Sequence, residues 1–167
     1  MGSTLTVDNI VGATTAANVK LPAGACVQFK TAAAVGQQTI TSSSYVSLTG
    51  LSIAFAPKFS TSYLYILYNS HIYLPQTGGN WRGGEIKVYK NGSAISGAGA
   101  YGLSANNNHA DDRSMDYVTK DTVHVPGSTA SATYDIRGAL VAGSISAVWN
   151  HTTYGGGGRL TIMEIAQ

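Results

Sequence analysis

From Ala25 onward, apolar and polar residues alternate with a period of two, the pattern of strands that bury one face. In "SATYDIRGAL" the apolar set is Ala132, Tyr134, Ile136 and Leu140, while Thr133, Asp135 and Arg137 point the other way. "LSIAFAP" repeats the pattern with Leu51, Ile53 and Phe55 and stops at Pro57. "YLYILYNSHIYL" is different in kind. Leu64, Ile66, Ile72 and Leu74 fall on one side and Tyr63, Tyr65 and Tyr73 on the other, so both faces are capable of burial and a second packed surface is predicted.

"GEIKVYKNGSAIS" carries the clearest local signal. Asn91-Gly92 supplies the two φ > 0 residues of a type I′ turn between strand-like flanks, which predicts a hairpin. Further strands are predicted at "SMDYVTKDTVHV", "SISAVWN" and "RLTIMEIA". Between them, "PQTGGNWRGG", "GAGAYGLSANNNHADDR", "PGSTAS" and "NHTTYGGGG" read as turns and loops. No window sustains a helical period and no repeat stands out. The expected fold is all-β: an antiparallel β-sandwich, jelly-roll-like, over residues 25–167, preceded by an extended arm over residues 1–24.

Composition narrows the class. Only 11% of the 167 residues are charged, and the 44% that are hydrophobic leave the balance to Ser, Thr, Asn and Gly. That balance suits β-rich extracellular or virion proteins better than cytosolic enzymes. Ten Lys and Arg stand against eight Asp and Glu with no run of one sign, so the sequence marks no nucleic-acid footprint. No apolar run approaches the roughly 20 residues that span a bilayer, so no membrane insertion is expected. Cys26 is the single cysteine, which excludes an internal disulfide framework and a cysteine-based zinc site. The start of the chain shows no signal-peptide pattern, so synthesis in a host cytoplasm without export is expected.

The motifs that suggest chemistry do not survive their context. "GAGAYG" (97–102) matches a dinucleotide fingerprint but lacks the helix that should follow, and reads as a flexible glycine loop. "YGGGGR" (154–159) lacks the P-loop ending and precedes a strand. His109, Asp111, Asp112 and Asp116 form the densest group of metal-ligand types, without the alternation, glycine and closing Glu of a calcium loop. The sequons at Asn91 and Asn150 carry no weight without a secretion signal. No nucleophile elbow and no distinctive acid pair is present. The chain is therefore expected to be non-enzymatic, with no cofactor and no metal. Aromatic residues beside polar neighbours are the better candidates for surface recognition: Trp81 with Arg82, Tyr101, His151 and Tyr154. Trp149, which alternates with Ile145 and Ala147, is assigned to core or interface.

The arm segment "TLTVDNIVGATTAANVKLPAG" alternates through Leu5, Val7 and Val11, with Ile10 beside them, and then runs through small Thr and Ala residues. A lone strand of this kind cannot bury enough area to be stable, so it must dock on its own domain or pair with copies of itself. Three copies wound about one axis would satisfy both needs, with Leu5, Val7, Ile10 and Val11 as the anchoring and assembly residues.

Leu5 to Gly12, Ala13 to Ala16 and Pro22 to Gly24 resemble the stretch that introduces the C-terminal domain of many tailed-phage virion proteins, of the marine and cyanophage type. "FAPKFSTSYLYIL" resembles that family's approach to a central strand, and "LTIMEIA" (160–166) its last strand. The resemblance lies mainly at the two ends of the chain and transfers no catalytic residue. It implies a homotrimeric β-sandwich displayed on the virion and bound to other capsid or tail proteins. Family members often carry a long fibre before this domain; the short stretch here favours a head-decoration or short-fibre role. The alternative is a receptor-binding tail-fibre tip that recognises a host surface glycan.

Overall fold

The computed structural model describes residues 22–75, 82–104, 113–141, 146–151 and 157–167. The arm residues Leu5, Val7, Ile10 and Val11 lie outside the described residues, as do Trp81 and Tyr154. The described residues form ten strands: β1 (Cys26–Ala33), β2 (Gln38–Ile40), β3 (Val46–Phe55), β4 (Tyr63–Pro75), β5 (Arg82–Lys90), β6 (Ser93–Ser104), β7 (Arg113–His124), β8 (Ala132–Leu140), β9 (Ala147–Trp149) and β10 (Arg159–Ile165).

One sheet runs β1-β10-β4 with β7 on the other side of β4, and the short β9 and β2 extend it; the second runs β3-β8-β5-β6. Every described pairing is antiparallel. Along the chain, each long strand crosses to the opposite sheet except at the β5–β6 hairpin. This is jelly-roll wiring, as the alternating pattern predicts.

The apolar sets read from the sequence meet between the sheets. Leu51, Phe55, Leu64, Ile66, Ile72, Leu74, Tyr134 and Ile136 are fully buried. Each such aliphatic or aromatic side chain contributes about 1.5–3 kcal/mol relative to exposure. Trp149 belongs to this core. It fits because β5 and β8 each present a glycine to its ring: a Cβ at Gly84 would lie 2.6 Å from its Cζ2, and one at Gly138 3.0 Å from its Nε1.

The Asn91-Gly92 turn forms as predicted, with φ of 49° and 81° and Lys90 paired with Ser93. Two expectations change. "GAGAYG" is not a loop, because β6 continues through Ser104 with Gly99 opposite Lys87, Ala100 opposite Ile86 and Tyr101 opposite Glu85. Partner backbone from β5 overrides the low strand propensity of the glycines. Arg82 and its two glycines likewise begin β5 rather than ending a loop. On β4 only the side carrying Leu64, Ile66 and Ile72 is buried within the chain; Tyr63 on the other side is exposed.

One buried carboxylate ties the strand ends together. Glu164 on β10 is fully buried and accepts hydrogen bonds from the backbone N–H of Lys58 (2.9 Å) and Phe59 (2.9 Å), Ser62 Oγ (2.8 Å) and Gln28 Nε2 (2.6 Å). It thereby fixes the β3–β4 turn and the start of β1 to β10. Burial raises its pKa, but these donors outweigh burial and hold it below the usual carboxylate value.

Candidate functional site

The strand register defines two poles. The start of β1, the end of β10, the start of β4 and the end of β7 lie together. The Asn91-Gly92 turn joins this pole, since Asn91 N–H donates to the Thr133 carbonyl at 2.8 Å. The segment before β1 and the residue after β10 are bound together there as well, through Gly24 N–H to the Ala166 carbonyl (2.8 Å) and Ala166 N–H to the Ala25 carbonyl (2.9 Å). This is the arm pole.

The described residues that flank the predicted recognition positions lie toward the opposite pole. Pro75 ends β4, Arg82 begins β5 opposite Ser104, and His151 follows β9. Tyr101 sits in β6, three positions before that strand ends. His151 packs against Tyr73, ring centroids 5.1 Å apart, and its N–H donates to the His71 carbonyl at 3.4 Å. His71 in turn meets the Tyr117 ring edge-on at 4.9 Å. Arg82 and Tyr101 lie on the paired strands β5 and β6 of one sheet, whereas His151 packs on β4 of the other, so the described backbone does not bring the three together.

A buried polar knot holds this end in place. Asn150, at φ 57°, accepts hydrogen bonds at Oδ1 from Ser70 Oγ (2.8 Å), Gly158 N–H (3.1 Å) and Tyr68 OH (3.4 Å). Burial pushes the Tyr68 hydroxyl well above its ordinary pKa, so it stays protonated and donates. The knot fastens the start and finish of the β9–β10 connection to β4 and so sets the position of His151. The Asn150 sequon is thereby accounted for as structure. Of the possible metal ligands, Asp116 pairs with Ile72 in β7, while His109, Asp111 and Asp112 lie outside the described residues.

The sequence reading missed the outward face of the β3-β8-β5 sheet. Asp135 is nearly buried because Arg137 Nε donates to its Oδ2 at 2.7 Å and Ser47 Oγ at 3.1 Å. The Arg137 guanidinium lies 4.2 Å over the Tyr89 ring. Lys87 lies 4.4 Å over the Tyr45 ring and 3.2 Å from Glu85. An open cleft of about 470 Å³ adjoins this network, lined in part by Ser47, Thr49, Ser52, Asn91, Thr133 and Asp135. Opposite charges are paired throughout, so the surface offers hydrogen-bonding groups rather than a net field. Asp135 and Arg137 were legible as outward-facing; their partners come from strands distant in sequence, which spacing alone does not reveal.

Fold and surface together define, over the described residues, a jelly-roll β-sandwich with a polar, charge-paired outer face on its β3-β8-β5 sheet. No protein-family model and no curated protein matches the sequence. Among solved structures, the chain is similar to dimeric latent PorU from Porphyromonas gingivalis, with 12% identity and a TM-score of 0.39, covering 88% of this chain and 14% of that one. It is also similar to chains in structures of infectious bursal disease virus. For the Gx strain the identity is 14% and the TM-score 0.35, over 83% of this chain and 37% of that one. For the Gt strain the values are 12% and 0.35, over 100% and 43%. The chain spans less than half the length of each of these, and the fold assignment rests on its own strand order.

Proposed function

We propose that the chain is a non-enzymatic structural protein of a tailed-phage virion, a homotrimeric head-decoration or short-fibre protein anchored through residues 1–24. The observation that carries this reading is a jelly roll that begins immediately after a segment resembling the leader of phage virion domains. The pole where residues 1–24 lead into the sandwich is tied by Glu164 and by the bonds at Gly24 and Ala166. Assembly falls to Leu5, Val7, Ile10 and Val11. Gold-labelled antibody on intact particles of the source virus tests the proposal. Label over the head identifies a decoration protein and label at the tail a short fibre, whereas bare particles overturn the reading. Val7→Asp should abolish incorporation while leaving the sandwich folded.

A second reading, a receptor-binding tip for a host glycan, rests on the His151–Tyr73 ring pair beside the β9–β10 connection, and on Arg82 and Tyr101 in the half of β5 and β6 away from the Asn91-Gly92 turn. Trp81 and Tyr154 neighbour them in sequence. Glycan-array binding that is lost in a folded Trp81→Ala variant would support this role, and a blank array counts against it.

A further inference from the structure

We infer that the outward face of the β1-β10-β4-β7 sheet is covered by a second copy of this chain, packed at the end where the chain enters the sandwich at Pro22–Ala25. The register places Phe29, Met163, Tyr65 and Val123 in one row across the four strands, so all four lie on the same outward side. Beside that row, nearer the arm pole, Ile165 pairs with Tyr63, and Val125 follows β7. Phe29 is 68% exposed, Val123 57%, Val125 49% and Tyr63 42%. These are contiguous large apolar side chains on a regular sheet, which singly scattered surface residues would not produce.

The sequence of β4 predicts a second packed surface, and within one chain only the inner side is covered. At strand spacing the rows Phe29–Met163–Tyr65–Val123 and Ile165–Tyr63 span a flat area of about 250 Å², so this contact adds to association through residues 1–24 rather than holding two copies alone. Toward the middle of the face Thr31, Thr161, Asn69 and Thr119 take over, and among the described residues of these rows the charges are Arg159 and Asp121, of opposite sign. A copy laid on this face therefore meets no like-charged cluster.

The occupant follows from where the chain enters. Residues 1–21 join the sandwich at Pro22–Ala25, beside Cys26, Ile165 and Tyr63. Association through the arms raises the local concentration of exactly these faces around the same axis, so the second contact forms without a second search. The choice of occupant rests on the assembly reading above, whereas the exposed row does not.

Sedimentation velocity and light scattering on the full chain at micromolar concentration test the inference. Wild type should exceed the monomer mass. Phe29→Lys with Val123→Lys, both at exposed positions, should keep the thermal transition and weaken association by at least about tenfold. Thr49→Lys, on the opposite sheet, should leave it unchanged. A monomeric wild type, or an assembly unaffected by the double variant, overturns the inference. Particles that bind the antibody while the double variant still assembles would sink this interface and spare the virion role. Bare particles with a dissociating double variant would do the reverse.

Discussion

Replacing Glu164 with Gln removes one charge from a fully buried position while keeping shape. In the native chain four groups donate to the carboxylate: two backbone N–H groups, Ser62 Oγ and Gln28 Nε2. A hydrogen bond to a charged group is worth about 1.5–3 kcal/mol and a neutral one about 1 kcal/mol. The amide keeps one acceptor oxygen for three of the donors and turns its own NH₂ toward the fourth, Gln28. Weakening three bonds and opposing two donors gives a loss of about 3 kcal/mol. For a chain of this length that corresponds to about 6–12 °C in Tm. Thermal and urea unfolding at matched protein concentration measure it. The pH dependence adds an independent check. The folded pKa lies below the unfolded value, so the contribution is complete above the unfolded carboxylate pKa and disappears as pH falls through the folded one. Wild type should lose its advantage over Glu164→Gln across that acid window, and the two should converge below it. A variant as stable as wild type at pH 7, or a gap that persists unchanged at acid pH, would refute the account.

Other outcomes follow from the same geometry. Gly158→Ala would drive a Cβ into Asn150 Oδ1 and should cost at least about 2 kcal/mol in urea unfolding, because the buried polar knot must open. Asn91→Ala should cost about 1–2 kcal/mol, since it loses both its tolerance of positive φ and the acceptor for Thr133 N–H at 2.9 Å. The His124 ring should titrate below the ordinary histidine value by NMR, from burial first and from Lys90 at 3.4 Å second; Lys90→Met should move it partway back. Because its folded pKa is depressed, His124 adds stability above the unfolded value that is lost as pH falls, in the same direction as Glu164.

The fold was legible where a local rule and the tertiary packing agree. Leu51, Ile53 and Phe55, and Ala132, Tyr134 and Ile136, are buried as their alternation requires. The Asn91-Gly92 turn needs only two left-handed residues, a local property. The start of β6 was legible from the hairpin, but its continuation past Ser96 was not, because the glycines carry no strand signal of their own and β5 supplies the partner. β2 is three residues long and exists through its pairing with β9, which no short window reports. Among the candidate recognition residues, His151 could be placed on a loop but not beside Tyr73, some eighty positions earlier in the chain. The Asp135–Arg137 pair was visible as two outward positions, whereas Ser47 and Tyr89 come from neighbouring strands.

The pairing of the first long strand with the last has a mechanical consequence. β1 lies against β10 in continuous register from Gln28–Glu164 to Ala33–Arg159, and the chain leaves β1 at its arm end. Antiparallel hydrogen bonds run perpendicular to their strands. A pull transmitted along the arm, against a load on the far pole, therefore loads these bonds together in shear rather than opening them one by one. Glu164 adds a side-chain tether to Gln28 at the point where tension enters. The wiring that closes the sandwich also makes it resistant to being drawn out by a pull on the segment that leads into β1.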